Sequence, residues 1–315
     1  MRRSFSDYLL ISLKGIAMGA ADVVPGVSGG TIAFISGIYE ELISTISSVD
    51  ISLLKTWKND GFKAMWKALN GNFLVALLSG ILLSIFTVMR LANYLLEHHP
   101  VLIWAFFFGL VLASIYYVAK QIPKWSFNVF LFMLIGAAIA FYLTTLPPLT
   151  AAASELYLFF AGALAICAMI LPGISGAYIL VLLGAYKTVS EATHNFDFKT
   201  LGIVALGAIF GILSFSKLLK WLFVNYSTLT LATLTGFIAG SLNKIWPWKE
   251  VLETAVYGEK TVVLRDESVM PWNFSAEPHT LQAFFLMLAG FLVILILEGL
   301  AVKKPVQENA KNPDL

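Results

Sequence analysis

Charge is what this 315-residue sequence has least of. Asp, Glu, Lys and Arg make up 13% of it against 58% apolar residues, with a mean hydropathy of +0.81, where a soluble domain carries about 25% charged residues. That shortage excludes an ordinary soluble domain and points to an all-α integral membrane protein of several spans, with membrane lipids around it and no nucleic-acid partner. Cysteine is nearly missing too. Cys167 stands alone inside an apolar stretch, which excludes an intrachain disulfide and a thiolate metal cluster. The four histidines, His98, His99, His194 and His279, fall near segment ends or in loops. None shares a helix with another at the i, i+4 spacing of a metal site, so no metal and no cofactor is expected. The first apolar stretch lacks a small-residue cleavage site, and no cleavable signal is expected. The net charge of +2 says little until it is divided between the two sides of a membrane.

What the sequence does hold is a repeated interruption. Asp22-Val-Val-Pro-Gly-Val-Ser-Gly-Gly-Thr31 is echoed by Leu171-Pro-Gly-Ile-Ser-Gly-Ala177, with Pro172 lying 147 residues after Pro25. The same spacing pairs Gly15 with Gly162, Ala21 with Ala168, Ser28 with Ser175, Gly29 with Gly176, Gly37 with Gly184 and Tyr39 with Tyr186. Each copy sits between apolar arms, 8–24 and 31–47 in the first, 156–171 and 178–192 in the second. These arms, about 15–17 residues long, fall short of the roughly 20 that span a bilayer comfortably, which favours re-entrant hairpins at 8–47 and 155–192. Non-helical backbone at membrane depth is tolerated only where protein buries it or a polar cavity receives it. A broken segment in matching places of two halves marks a transporter's binding site.

Three spans are expected after the first hairpin, at 72–96, 101–119 and 127–146, and three after the second, at 200–224, 228–246 and 281–302. They pair as well. Gly80, Arg90, Gly109 and Ser114 match Gly207, Lys217, Gly236 and Ser241 at a spacing of 127, and Phe130, Met133, Leu134 and Gly136 match Phe284, Met287, Leu288 and Gly290 at 154. The chain therefore reads as two units, residues 1–147 and 148–303, followed by a tail at 304–315. A hairpin returns to its own side and three spans cross an odd number of times, so the second unit is inverted relative to the first. Between the first hairpin and its spans, residues 55–70 mix Trp57, Phe62, Met65 and Trp66 with Lys55, Lys58, Lys63 and Lys67, as in a helix lying at the headgroups; a solvated basic loop is the plainer reading. Arg2, Arg3, those four lysines, Lys120, Lys124, Lys303, Lys304 and Lys311 fall on one side, and the positive-inside rule places both termini in the cytoplasm. The loop 247–280, with the strand-like Thr261-Val-Val-Leu-Arg265, is then external and suits a small β-hairpin.

At each tip a returning helix would begin with unpaired N–H groups, a site for an anion. Ser28, Gly29, Gly30 and Thr31 at the first tip, with Ser175 and Gly176 at the second, are the candidate binding residues; a Pro/Gly kink that only helps helices pack is the plain alternative. Arg90 and Lys217 are equivalent cations within spans, where ionisable groups usually face a cavity, although each is close enough to its span's end to snorkel. Asp22 is the one acid within the hairpin arm ahead of the first tip. It could balance Arg90, carry a proton or bind a cation with freed carbonyls, or it could cap local backbone.

Three stretches carry a family resemblance: Lys14–Thr31 (KGIAMGAADVVPGVSGGT), Met169–Gly176 (MILPGISG) and Gly240–Trp248 (GSLNKIWPW). Together they closely resemble the bacterial polyprenyl-phosphate transporters of the PopT type, long catalogued as a domain of unknown function, over about residues 8 to 302. The resemblance implies a flippase of the bacterial inner membrane that returns undecaprenyl phosphate, the lipid carrier of cell-wall sugars, from the outer to the inner leaflet. It also implies coupling to the proton or sodium gradient. A lipid monophosphate needs an anion-binding path for its head, which paired helix N-termini and two cations would supply. Two rivals stand beside this reading. A carrier or channel for a small ion would share the inverted repeat. An intramembrane lipid phosphatase would need a histidine or comparable base at a tip, and no histidine lies near either tip.

Overall fold

Helices follow one another almost without loops, as expected where each backbone polar group must be satisfied in lipid. The structure is a computed structural model and describes residues 3–23, 28–149, 154–257 and 260–301. Residues 24–27 of the first tip, the side chain of Arg90 and the tail 304–315 lie outside the described residues. Among the described residues, four helices are long and apolar enough to cross a membrane, Gly71–Val88, Pro100–Lys120, Phe127–Thr145 and Phe198–Ile245, with shorter apolar helices at Glu155–Ile170 and Thr280–Ile296. The protein is mostly helical and crosses the membrane several times.

The chain opens with α1 (Phe5–Val23), and after the tip come α2 (Gly29–Ile35) and α3 (Tyr39–Ser47). The returning arm, expected as one stretch at 31–47, is thus two helices. Gly37 at φ +72° makes the turn between them, a conformation that a side chain would resist. The second hairpin is built alike, with α9 (Glu155–Ile170), α10 (Gly176–Leu182) and α11 (Tyr186–His194), and Gly184 at φ +66° divides its returning arm. Both arms have a helix of seven residues and then one of nine. The basic stretch is also two helices, α4 (Ile51–Asp60) and α5 (Phe62–Ala68), because Gly61 at φ +83° breaks it. Ile51, Leu54, Trp57 and Phe62 are exposed there.

Three long helices follow, α6 (Gly71–His98), α7 (Pro100–Lys120) and α8 (Phe127–Thr145). Pro100 fits the first turn of α7, where its missing N–H costs nothing. Ser126 caps α8 and Asp197 caps α12 (Phe198–Ser241) by accepting backbone N–H bonds. At 44 residues α12 would run about 66 Å if straight, more than twice the roughly 30 Å hydrocarbon core. Tyr226, at φ −137° and ψ 42°, interrupts it, so the stretches 200–224 and 228–246 meet at a kink without a loop. A 3-10 turn (Leu242–Ile245), the antiparallel pair β1 (Lys249–Tyr257) and β2 (Lys260–Ser268), and α13 (Thr280–Ala301) complete the chain. The strand pair is the one departure from an all-helical build among the described residues. Its base is anchored by Trp246, whose indole N–H donates to the Val269 carbonyl at 2.8 Å, and by Trp248, which donates to Pro278 at 2.8 Å.

Small residues let these helices approach backbone to backbone, the packing that membrane helices favour. A methyl at Gly15 of α1 would overlap the Leu77 carbonyl of α6, and one at Gly80 would overlap that of Ser12. On α9 and α12 the same clash would arise between Gly162 and Val204, and between Gly207 and Phe159. Every residue in the second set lies 147 or 127 positions after its counterpart in the first. Gly109 of α7 meets the Met287 carbonyl of α13 while Gly236 of α12 meets Met133 of α8, and Gly290 meets Phe106 while Gly136 meets Thr233. The third helix after each hairpin therefore packs on the second helix of the other set. Outside these contacts, Leu82, Phe86, Phe210, Phe284 and Phe285 are exposed, an apolar belt suited to lipid.

Candidate functional site

The two tips touch. Ser28 is 1% exposed and stands just before α2, where its hydroxyl accepts the Gly30 N–H at 3.1 Å, an N-cap that orders the first turn. The same hydroxyl is aimed between two carbonyls of the second tip, Met169 at 3.1 Å and Leu171 at 3.3 Å. Thr31 replies from one turn further on, its hydroxyl accepting the Gly173 N–H at 2.9 Å. Gly30 is obligatory here, because a methyl would come within 2.5 Å of the Ile170 carbonyl. Asp22, at the end of α1, reaches back over the break and accepts the Gly29 N–H at 2.6 Å. The place where an anion would bind at α2 is thus held by the protein's own carboxylate.

The second tip is arranged otherwise. Ser175 precedes α10 in the same extended conformation, but its side chain makes no capping bond, and it is only part-buried, with Ala177 exposed beyond it. Gly173, at φ +90°, packs against the Ser241 hydroxyl and the Phe237 carbonyl of α12. The structure therefore brings together Ser28, Gly29, Gly30, Thr31 and Asp22 with the stretch Met169–Gly173, and leaves Ser175, beside the buried Gly176, without a bonded partner among the described residues.

Lys217 is placed elsewhere. It is exposed on α12, beside a shallow cavity of about 290 Å³ lined by Ser47, Lys220, Trp221, Val224 and Asn225, none of which belongs to a tip. Its equivalent Arg90 is on α6, with a side chain outside the described residues. Among the described residues, no group of three or more His, Cys, Asp or Glu could hold a metal ion.

Sequence reasoning passed over a second polar cluster. Beneath the β-hairpin lies a cavity of about 520 Å³ lined by residues including Thr144, Tyr178, Asn243, Lys244, Lys249 and Asp266. Lys244 Nζ is 3.0 Å and Lys249 Nζ 3.1 Å from the carboxylate of Asp266, with side-chain exposures of 18%, 13% and 13%. Lys244 also lies 4.8 Å over the ring of Tyr178, a cation–π contact. Burial alone would raise the carboxyl of Asp266, but the two ammonium groups outweigh it and hold the group below the usual carboxylate range. Lys249 is pushed below the usual lysine range by burial, despite the same ion pair. The two shifts disagree about whether the pair favours charge. One carboxylate shared by two lysines explains both, since the anion has cations to spare and each cation has half an anion. The available signal was Lys244 inside the Gly240–Trp248 motif, but its partner Asp266 lies 22 residues away on β2.

Comparison with known proteins places this arrangement. The profile of the VCA0040-like family, described as undecaprenyl phosphate translocase-like, matches residues 18–263, which include both tips and both lysines. A polyprenyl-phosphate transporter of Vibrio cholerae serotype O1 is 45% identical over 302 residues, covering 94% of this chain and 98% of its own length. A second polyprenyl-phosphate transporter, from Staphylococcus aureus, is 34% identical over 253 residues, 75% of this chain and 85% of that protein. No solved structure matches significantly. These relatives are transporters by name, not enzymes, and the chain belongs to the VCA0040-like, undecaprenyl phosphate translocase-like family of membrane proteins.

Proposed function

We propose that this chain moves a polyprenyl monophosphate, of the undecaprenyl phosphate class, from the outer to the inner leaflet of the bacterial cytoplasmic membrane. Its two halves act as inverted repeats, and the phosphate head passes at the junction of two re-entrant tips. The observation that carries the reading is the direct contact of the tips, with Ser28 and Thr31 bonded to Leu171 and Gly173. The position-for-position match of helix contacts, and the exchange of the third helices between the two sets, support the repeat. Parity and the distribution of Lys and Arg support the inversion, with both termini cytoplasmic.

In this reading the first tip is shut and the second is open. Asp22 occupies the Gly29 N–H that a phosphate oxygen would want, and the two anions exclude one another. Taking up a proton or a cation would release Asp22 from that N–H and couple transport to an ion gradient. Ser175 and the Gly176 backbone receive the head first, and Ser28, Gly30 and Thr31 join when the tips part. Lys217, exposed beside Lys220 and Trp221, then serves the head on the cytoplasmic side, and Arg90 serves its equivalent place on the other. An apolar tail can stay in the bilayer throughout.

The test is leaflet transfer of polyprenyl phosphate in proteoliposomes. Wild type should move the lipid, and a well-expressed Arg90→Gln/Lys217→Gln variant should not. Normal transfer by that variant would refute the role of the two cations. Inorganic ion flux with no lipid movement would refute the whole proposal.

A further inference from the structure

We infer that the cavity under the β-hairpin is a second phosphate-binding site, specific for a monophosphate that carries an apolar substituent. The cavity's cations are Lys244, Lys249 and Arg265, against two carboxylates, Asp266 and Glu267. An ammonium carries three donors, and six donors on two lysines are not exhausted by the single Asp266 carboxylate they share. A phosphomonoester brings up to two negative charges and three acceptor oxygens, so it matches a pair of cations better than one carboxylate does. A second anion would favour the charged ammonium of Lys249 and so offset the effect of its burial.

The rest of the lining is equally specific. Phe141, Leu146, Pro147, Leu252 and Leu264 form the apolar part of the wall. An inorganic phosphate has no use for it, whereas the first carbons of a lipid tail would cover it. Tyr178, under Lys244, is on α10 three residues after Ser175, so the cavity abuts the returning helix of the open tip. Its floor is fixed: Asn243 donates to the Thr144 hydroxyl at 2.9 Å, and Ser268 donates to Asn243 Oδ1 at 3.0 Å. The hairpin is thus the wall of a receiving site, held over α8 and α10 rather than free in solvent. With the orientation proposed above, on which this part rests, it is the outer station from which the head moves to Ser175.

Calorimetric titration of the purified full chain in detergent with geranyl phosphate, geraniol and inorganic phosphate tests the inference. Geranyl phosphate should bind and geraniol should not. Lys244→Gln/Lys249→Gln should weaken geranyl phosphate by about tenfold or more, as expected for lost charge-assisted bonds. Asp266→Asn should tighten it, because the competing anion is gone while both lysines remain. A purely structural clamp would give the opposite sign, with both variants weakening the site, and that result would overturn the inference. Unchanged affinity in the double lysine variant would do the same. If inorganic phosphate binds as tightly as geranyl phosphate and with the same lysine dependence, the phosphate site stands and its ligand is free phosphate. Binding is read here without transport. Lysine-dependent binding in a chain that fails to transfer lipid would sink only the proposed function, and transfer with lysine-independent binding would sink only the cavity.

Discussion

The two tips have nearly the same letters, Gly26-Val-Ser-Gly and Gly173-Ile-Ser-Gly, but their serines stand in different environments. Ser28 is sealed, capped and bonded to the other tip, whereas Ser175 is half open with no capping bond. The difference comes from neighbours and not from the motif. Asp22 stands ahead of the first tip, and the residue 147 positions later is Met169, which offers no carboxylate. On the proposed function, one duplicated motif does two jobs, a latch and a receptor, and Asp22, which has no acidic counterpart at Met169, sets the two apart.

Substitutions at matched positions can break that comparison. The largest effect is expected at the latch. Gly30→Val would drive a side chain into the Ile170 carbonyl, and overpacking of this kind costs about 1–3 kcal/mol, so lost transfer and a lower melting temperature are expected. Ser28→Ala and Thr31→Val each strip a buried partner from the other tip. Leaving a buried donor or acceptor unsatisfied costs about 1–3 kcal/mol, readable as a shift in thermal or denaturant unfolding. Ser175→Ala should change stability by less than about 0.5 kcal/mol, because no native bond is lost, yet slow lipid transfer several-fold. Equal loss of stability in Ser28→Ala and Ser175→Ala would erase the distinction between latch and receptor.

A smaller effect sharpens the account of the hairpin. The carboxyl of Asp266 is held below its ordinary value of 3.8, so the stabilisation it gives the hairpin is fully present above that value and is lost only as pH falls through the lower folded one. Fluorescence of Trp246 and Trp248 should stay constant from neutral pH down to about 5 and change only in stronger acid. In Asp266→Asn that acid transition should be missing.

Much of this architecture is legible in the residues. Pro25 and Pro172 mark the interruptions because proline removes a donor and clashes with the preceding turn. The apolar runs locate α6, α7 and α8, since composition alone sets what can lie in lipid. Gly37 and Gly184 stand out in the sequence as an aligned pair, but a lone glycine does not announce a positive φ, so the second break in each returning arm is not legible there. The missing loop at Tyr226 has the same origin, for hydrophobicity gives the extent of two spans and not how they join. The exchange of α8 and α13 between the sets, and the meeting of Lys244 with Asp266, are tertiary facts that no local pattern encodes. The asymmetry of the tips was carried by Asp22, whose chemistry was plain but whose partner, the N–H of Gly29, depends on how the chain turns.

The most direct measurement is a structure of the chain in nanodiscs with bound polyprenyl phosphate. Density for the phosphate within hydrogen-bonding reach of the Ser175 hydroxyl and the Gly176 N–H is expected, with Asp22 still on Gly29 while the first tip is shut. A phosphate bound only on the lipid-facing surface of the spans, with both tips packed dry, would contradict it.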